Sequence, residues 1–537
     1  MGKQHCQKLS RLLSITPQVS ANISRTQYTI IKQVLQNTYK CKLVTSGDCD
    51  LYWMDTGVTA EVVSKLKPYQ KINHFPNTSC ITRKNQLAKN LTRMRKVFKK
   101  EYNFFPQTWI LPGDWNELKA ELAQGKNRTY IIKPESLSQG KGIFLTKSFD
   151  RIDITLRHVV QRYIRKPYLI EGLKFDLRIY VLLYGCDPLR VYLFKEGLAR
   201  FSTNEYVKPN KDNLQNLYMH LTNYAINKNN KDFIFNADAD NPNIGHKRSL
   251  GFVWEYIDEH NGDSKLVKKK IQRIIVKTLC AVQPQLSRCF RNCQPMHIEN
   301  SMCFEILGFD ILLDHKLKPW LLEVNHSPSF HADTPFDKRV KTELISDTIK
   351  LLRLDVTHRI IYAEKEQIKL NARAYSRVIQ DKITKEEREE AKANAMVERD
   401  KYELRNNGGF IRIYPDDKMN TKYQAFINYA EGELDQFYGV RKEYFTYLAQ
   451  RTNKESSRAT SKSFITRPKT GDSRRRGKLQ SEEAMSEKIW RISEIYGGKT
   501  LKEKRDFGNR VNSLNNTGKS HLSAMRFKFT DNYPYSY

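Results

Sequence analysis

No apolar run in this chain approaches the about 20 residues that a helix needs to cross a bilayer; the longest, such as "IYVLLYG", are far shorter, so no transmembrane segment is expected. Cysteine is scarce as well. Nine are scattered without a repeated spacing, and no secretory apolar stretch opens the sequence, which argues against a disulfide framework and for reduced thiols in the cytosol. Cys289, Cys293 and His297 share a four-residue step, but a fourth ligand and the usual knuckle spacing are missing. They read as the buried thiols of a helix. Acidic residues are in short supply: 59 Asp and Glu stand against 92 Lys and Arg, a formal charge of +33. Such a field draws in polyanions, and charge alone does not choose among nucleic acid, anionic membrane and acidic protein. An RNA-recognition signature, a zinc module and a basic heptad helix are all absent, so nucleic acid is not the expected partner.

At 537 residues the chain is too long for one core. Its 39% hydrophobic and 11% aromatic content supports globular domains, whereas 28% charged residues point to a tail beside them. A tail is expected over residues 1–26, an N-terminal domain over 27–104, and alternating strand and helix patterns over 105–164 and 165–354, the texture of an α+β catalytic core. A charge-dense helical extension poor in large apolar residues occupies 355–440, the kind of helix that projects from a core or lies across it; "GGFIRIYP" inside it is a patch able to dock it onto the body. Residues 441–537 read as a basic, largely disordered tail, with 441–480 carrying twelve Lys or Arg against three Asp or Glu.

Three segments carry candidate chemistry. In "IIKPESLSQGKGIFL" a strand delivers Lys133, and a loop with Gly140 and Gly142 leads to another strand, a hairpin able to fold over phosphates or an ordinary solvated turn. The strand context and the missing GK[ST] exclude a Walker loop. In "EGLKFDLRIYVLL" the period of two puts Phe175, Leu177, Ile179 and Val181 on one face and Lys174, Asp176 and Arg178 on the other. That charged row is either solvated on an edge strand or a set of phosphate and ribose partners. In "CFEILGFDILLDHKLKPWLLEVNHSPSF" two apolar strands each hold an acid, and a hairpin through residues 314–319 sets Asp310 opposite Glu323, with Asn325 on the same face as Glu323. Facing carboxylates repel, and either a hard divalent cation such as Mg²⁺ or pairing with Lys or Arg relieves them. Zinc is a poor fit to oxygen donors alone.

Taken in order, "IIKPESLSQGKGIFL", "QRYI", "KFDLRIYV", "EGLARFS", "HLTNYAINK", "FEILGFDILLD" and "PWLLEVNHSPSF" resemble the tubulin–tyrosine-ligase-like family, as does the upstream "LKPYQKINHFP". The resemblance implies an ATP-grasp fold with N-terminal, central and C-terminal catalytic domains. It also implies an ATP-dependent carboxylate–amine ligase in which a carboxylate becomes an acyl phosphate that an amino acid's amine attacks. Carried over by position, Lys133 and Lys174 hold ATP phosphates with Gln139 and Gly140 in the closing loop. Gln161, Arg162, Tyr163 and Ile164 line the adenine pocket, Asp176 meets the ribose, and Thr222 and Asn223 sit at the nucleotide. Asp310, Glu323 and Asn325 hold Mg²⁺. Arg178 and Arg200 are the catalytic arginines beside Lys174, with Arg200 receiving the incoming amino acid near Tyr224 and Lys247.

The long extension resembles the autonomous polyglutamylases with a cationic microtubule-binding region, and Gln139 resembles the branch that elongates glutamate chains. The implied partners are microtubules, acidic tubulin tails and free L-glutamate, with a monomer acting in the cytoplasm on the cytoskeleton, at a cilium or basal body. A glycylase, a ligase for another acidic protein and an inactive microtubule-binding protein remain as alternatives.

Overall fold

Short strands come first. In the computed structural model, which describes residues 17–437 apart from 125–127, 136, 138, 149–151, 239–240, 242, 375–383 and 417–418, β1 (Ser20–Arg25), β2 (Lys42–Val44), β3 (Leu51–Met54) and β4 (Lys71–Ile72) form a parallel sheet in the order β2-β1-β3-β4. Within the tail expected over 1–26, residues 20–25 instead form β1, an inner strand of this sheet, while residues 1–16 lie outside the described residues. "SANISR" hides that role by burying only Ser20 and the small Ala21. The sheet is tied to the rest of the body where Ile72 N donates to Met302 O (2.9 Å) and Phe304 N donates to Ile72 O (3.0 Å).

A second, antiparallel sheet contains β5 (Thr108–Ile110), β6 (Tyr130–Pro134), β7 (Phe144–Thr146) and β8 (His158–Arg162), in the order β5-β8-β6-β7. The third sheet is the largest. It holds β9 (Leu169–Ile170), β10 (Leu173–Cys186), β11 (Leu189–Phe201), β12 (Lys247–Ser249), β13 (Glu305–Leu313), β14 (Pro319–His326) and β15 (Phe410–Tyr414). Its main path runs β12-β11-β10-β13-β14, with β15 added beside β11 and β9 beside β10.

The alternation of β10 explains where the cleft lies. Phe175, Leu177, Ile179, Val181 and Leu183 share one core with the apolar faces of helices Ser264–Cys280 and Gln283–Cys293. On the opposite face, Tyr180, Leu182 and Tyr184 pack in a core with Phe336, Val340, Leu344 and Ile345 of helix Pro335–Leu351. Lys174, Asp176 and Arg178 precede that apolar stretch on the same face, so the strand passes from a polar cleft into a core without changing its period. The segment that reads as one helix, "VKKKIQRIIVKTLCAVQPQLSRCF", is divided in two, with Pro284 in the first turn of the second helix, where its missing N–H is no loss.

The charged extension is part of the body. Helix Lys385–Asn406 starts on a capping box at Thr384 and Glu387 and docks through a buried ionic cluster in place of an apolar stripe. Glu403, 2% exposed, accepts from Arg190 Nε (3.1 Å), from Arg399 Nε (2.6 Å) and from Tyr192 OH. "GGFIRIYP" then docks as β15, antiparallel to β11 with Phe194 opposite Phe410 and Val191 opposite Tyr414. The basic arm expected over 441–480 lies outside the described residues.

Removing one partner of a buried ion pair leaves the other charge uncompensated, so Glu403→Gln is expected to lower stability by about 3–5 kcal/mol in urea unfolding. A change within experimental error would show that this cluster does not anchor the helix.

Candidate active site

Four adjacent strands carry an alternating row of charge. Across the β11–β10 ladder Arg200 stands opposite Asp176; across β10–β13 Arg178 stands opposite Asp310; across β13–β14 Asp310 stands opposite Glu323 and Gly308 opposite Asn325. The hairpin register expected from sequence is therefore present. β10 is an inner strand, which removes the solvated-edge reading of Lys174, Asp176 and Arg178. Gly308 makes room for this row, since a Cβ there would lie 3.1–3.4 Å from the Arg178 side chain.

Both arginines of the row have carboxylate partners. Arg178 donates from Nε to Asp310 Oδ1 (2.5 Å) and from Nη2 to Oδ2 (3.0 Å). Arg200 donates from Nε to Asp176 Oδ1 (2.9 Å) and from Nη2 to Asp176 Oδ2, and the same Nη2 lies 2.8 Å from Asp310 Oδ2. The pairing alternative raised for the two acids thus holds for Asp310. Burial works against its charge, but Arg178 and Arg200 outweigh that and hold its carboxyl well below the usual range. Glu323 is pushed the other way, by burial and by the Asp310 charge. Asn325 Nδ2 donates to Asp310 Oδ2 (3.2 Å) and Glu323 Oε1 (3.3 Å). Buried Asp310, partly buried Glu323 and an amide meeting in this way, with Glu323 short of a cationic partner in contact, form an oxygen donor set suited to a hard divalent cation.

Above the row lies a cleft. Its polar lining includes Lys133, Lys174, Asp176, Arg200, Asp310 and Glu323, and its apolar lining is Pro106, Ile131, Ile143, Leu221, Leu312 and Leu322. Gln161, Arg162, Tyr163, Ile164, Thr222 and Asn223 also border it. β6 brings in buried Lys133, whose Nζ donates to Gln161 Oε1 (2.9 Å), while Gln161 Nε2 donates to Thr108 Oγ1 (3.0 Å). Lys174 Nζ donates to Tyr163 OH (3.0 Å) and His220 O (2.5 Å). Burial brings its pKa down to about 7 against the pull of Asp176, with Lys133 adding to the shift. Burial and Lys174 likewise bring His220 down to about 4.

Some expected residues stand around the cleft without lining it. Arg178 and Asn325 lie behind the acids they contact. Arg162 borders the cleft, but its guanidinium pairs with Glu121. Gln139 and Gly140 both have positive φ, and a Cβ on Gly140 would fall 2.4 Å from Ile226 Cδ1 and 3.4 Å from Asn223 Cγ, so the hairpin loop approaches the Asn223 segment closely only as glycine. Lys247 is cross-strand from Arg200; its Nζ lies 4.0 Å from the Tyr224 ring centre and 2.5 Å from Asp337 Oδ2. The sequence reading left out His220, the apolar lining and Asp337. His220 opens a motif already singled out, whereas "TPFDKRVK" signals only a helix start, and Asp337 N does donate to the capping Thr334 Oγ1 (3.0 Å).

Residues 63–365 match the tubulin-tyrosine ligase family. The chain belongs to that family. Among its curated relatives in the family, it is 46% identical over 417 residues to a probable beta-tubulin polyglutamylase of Tetrahymena thermophila, covering 76% of this chain and 35% of that protein. It is 43% identical over 431 residues to the human tubulin polyglutamylase TTLL6, covering 79% and 47%, and 41% identical over 434 residues to the mouse tubulin polyglutamylase TTLL13, covering 80% and 52%. The chain thus spans about half the length, or less, of these family members.

A neutral amine beside arriving phosphates regains its proton, because anionic charge raises its pKa. Nucleotide binding near pH 8.5 is therefore expected to take up about one proton at Lys174, read by calorimetry in buffers of different ionisation enthalpy. Lys174→Met should abolish that uptake, and an unchanged uptake would place the proton elsewhere.

Proposed function

We propose that this chain is an ATP- and Mg²⁺-dependent tubulin polyglutamylase. It adds free L-glutamate to glutamate side chains, or to polyglutamate already on them, in acidic tubulin tails. The observation that carries this reading is the row Arg200–Asp176 and Arg178–Asp310–Glu323 under a cleft that also holds Lys133 and Lys174. Cations for phosphates, paired acids for a hard cation and arginines for carboxylates are the parts that an acyl-phosphate ligase requires.

In this reading Lys133 and Lys174 bind the nucleotide phosphates, the apolar lining and residues 161–164 take the base, and Thr222 and Asn223 sit beside the nucleotide. Asp310, Glu323 and Asn325 would hold Mg²⁺, which when bound offsets phosphate charge. The acceptor carboxylate takes the terminal phosphoryl group of ATP, releasing ADP. The amine of free glutamate then attacks the acyl carbon, phosphate leaves and the amine loses a proton. Arg178 and Arg200 steady the carboxylate and phosphoryl oxygens, and Arg200, flanked by Lys247 and Tyr224, receives the free amino acid. Gln139 in the closing loop supports a preference for elongation. The net charge of +33 suits a glutamate-rich tail, and the docked extension together with the arm at 441–480 supplies a microtubule-binding region that raises the local concentration of tails. The setting is the cytoplasmic cytoskeleton, at a cilium or basal body.

The direct experiment is incubation with microtubules, ATP and each of glutamate, glycine and tyrosine, followed by mass spectrometry of the tails. Glutamate addition is expected; glycine addition alone would make the chain a glycylase, and no addition would overturn the ligase reading. Glu323→Gln is expected to abolish incorporation while preserving microtubule co-sedimentation. Deleting residues 441–480 should weaken co-sedimentation, most clearly at low salt, and leave nucleotide binding intact.

A further inference from the structure

Arg200 is the residue proposed to receive a free amino acid, yet its Nε–Nη2 edge is already held within the protein. Its side chain is 11% exposed, and its Nε and Nη2 clamp the two oxygens of Asp176 while Nη2 also reaches Asp310 Oδ2 at 2.8 Å. Asp310 is equally committed. Its Oδ1 accepts from Arg178 Nε, and its Oδ2 is approached by Arg178 Nη2 (3.0 Å), Arg200 Nη2 (2.8 Å) and Asn325 Nδ2 (3.2 Å). Three donors on an oxygen with two lone pairs leave no position for another ligand. A cation that takes Asp310 Oδ2 therefore has to displace a donor, and Arg200, already bonded to Asp176, is one of the two with a second carboxylate to turn to, the other being Asn325 toward Glu323.

Within the row Asp176, Asp310 and Glu323 stand against Arg178 and Arg200, so both arginines are engaged by acids of the fold. An arriving carboxylate must compete for Arg200 with two acids already built into the fold. A divalent cation on Asp310 competes with Arg200 for that carboxylate, and a nucleotide hydroxyl on Asp176 weakens the other hold on Arg200.

We propose that Arg200 is gated by Asp176 and Asp310: nucleotide and divalent cation together release it, and only then does the amino acid's carboxylate gain it, so substrate binding is ordered. This rests on the ligase reading above. Asp176 is in this scheme a positioning residue acting through Arg200, in addition to any contact with the sugar.

The test is calorimetric titration of L-glutamate and of glycine into the full chain under four conditions: no addition, Mg²⁺ alone, a non-hydrolysable ATP analogue with chelator, and both together. The amino acid is expected to bind about tenfold tighter with both together than with neither, and the analogue with Mg²⁺ to bind tighter by the same factor when the amino acid is present. Asp176→Asn, which cannot hold a guanidinium as a charged fork, is expected to shrink that ratio to about threefold or less, mainly by improving binding without nucleotide. A merely structural role for Asp176 would weaken binding in all conditions and leave the ratio unchanged, which would overturn the proposal. Equal amino-acid affinity in all four wild-type conditions, with the analogue bound, would overturn the gate and leave the ligase reading standing. Absence of amino-acid binding throughout, together with no incorporation into microtubules, would overturn both. The wild-type comparison needs no variant to fold.

Discussion

The structure turns on the pairing of arginine with carboxylate across β11, β10, β13 and β14. Arg200, Asp176, Arg178 and Asp310, on inner strands of one sheet, are tolerable only if each stands beside an opposite charge, because unpaired charge in such a setting costs several kcal/mol. That condition fixes register. A one-residue slip in any of the four strands would send its charges into the apolar face and break the pairing on the other. The same residues that form the candidate site therefore also specify how the sheet assembles, and the apolar side of β10 makes the same demand from the opposite face.

How much of this was legible in the sequence follows from how far apart the partners lie. The facing of Asp310 and Glu323 was readable, because a short turn joins their strands and period two does the rest. The division of β10 into an apolar and a charged face was readable for the same reason. The grip of Arg178 and Arg200 on Asp310 was not, since no local pattern relates residue 178 or 200 to residue 310. β1 escaped because its polar sequence gives no amphipathic signal and its inner place comes from neighbours on both sides. The helix Lys385–Asn406 misled in another way: a helix without an apolar stripe reads as solvated, and only the structure shows Arg190 and Tyr192 waiting for Glu403. Motif order compensated for part of this, because it identified the residues that meet even where physics on one sequence could not set their distances.

The extension after the matched family region has a mechanical meaning as well. The second edge of β11 is divided: β12 covers residues 198–200, including the partner position of Arg200, and β15 covers residues 191–194. A chain cut before Phe410 would leave the second of these stretches bare, a row of unpaired backbone N–H and C=O groups flanked by Val191, Leu193 and Phe194. Bare apolar edges recruit strands from other molecules. The catalytic strand would then be free to exchange its missing partner with a second copy, so the extension acts as the cap that keeps this sheet solitary. Its boundary with the core is a covalent convenience and no boundary of folding.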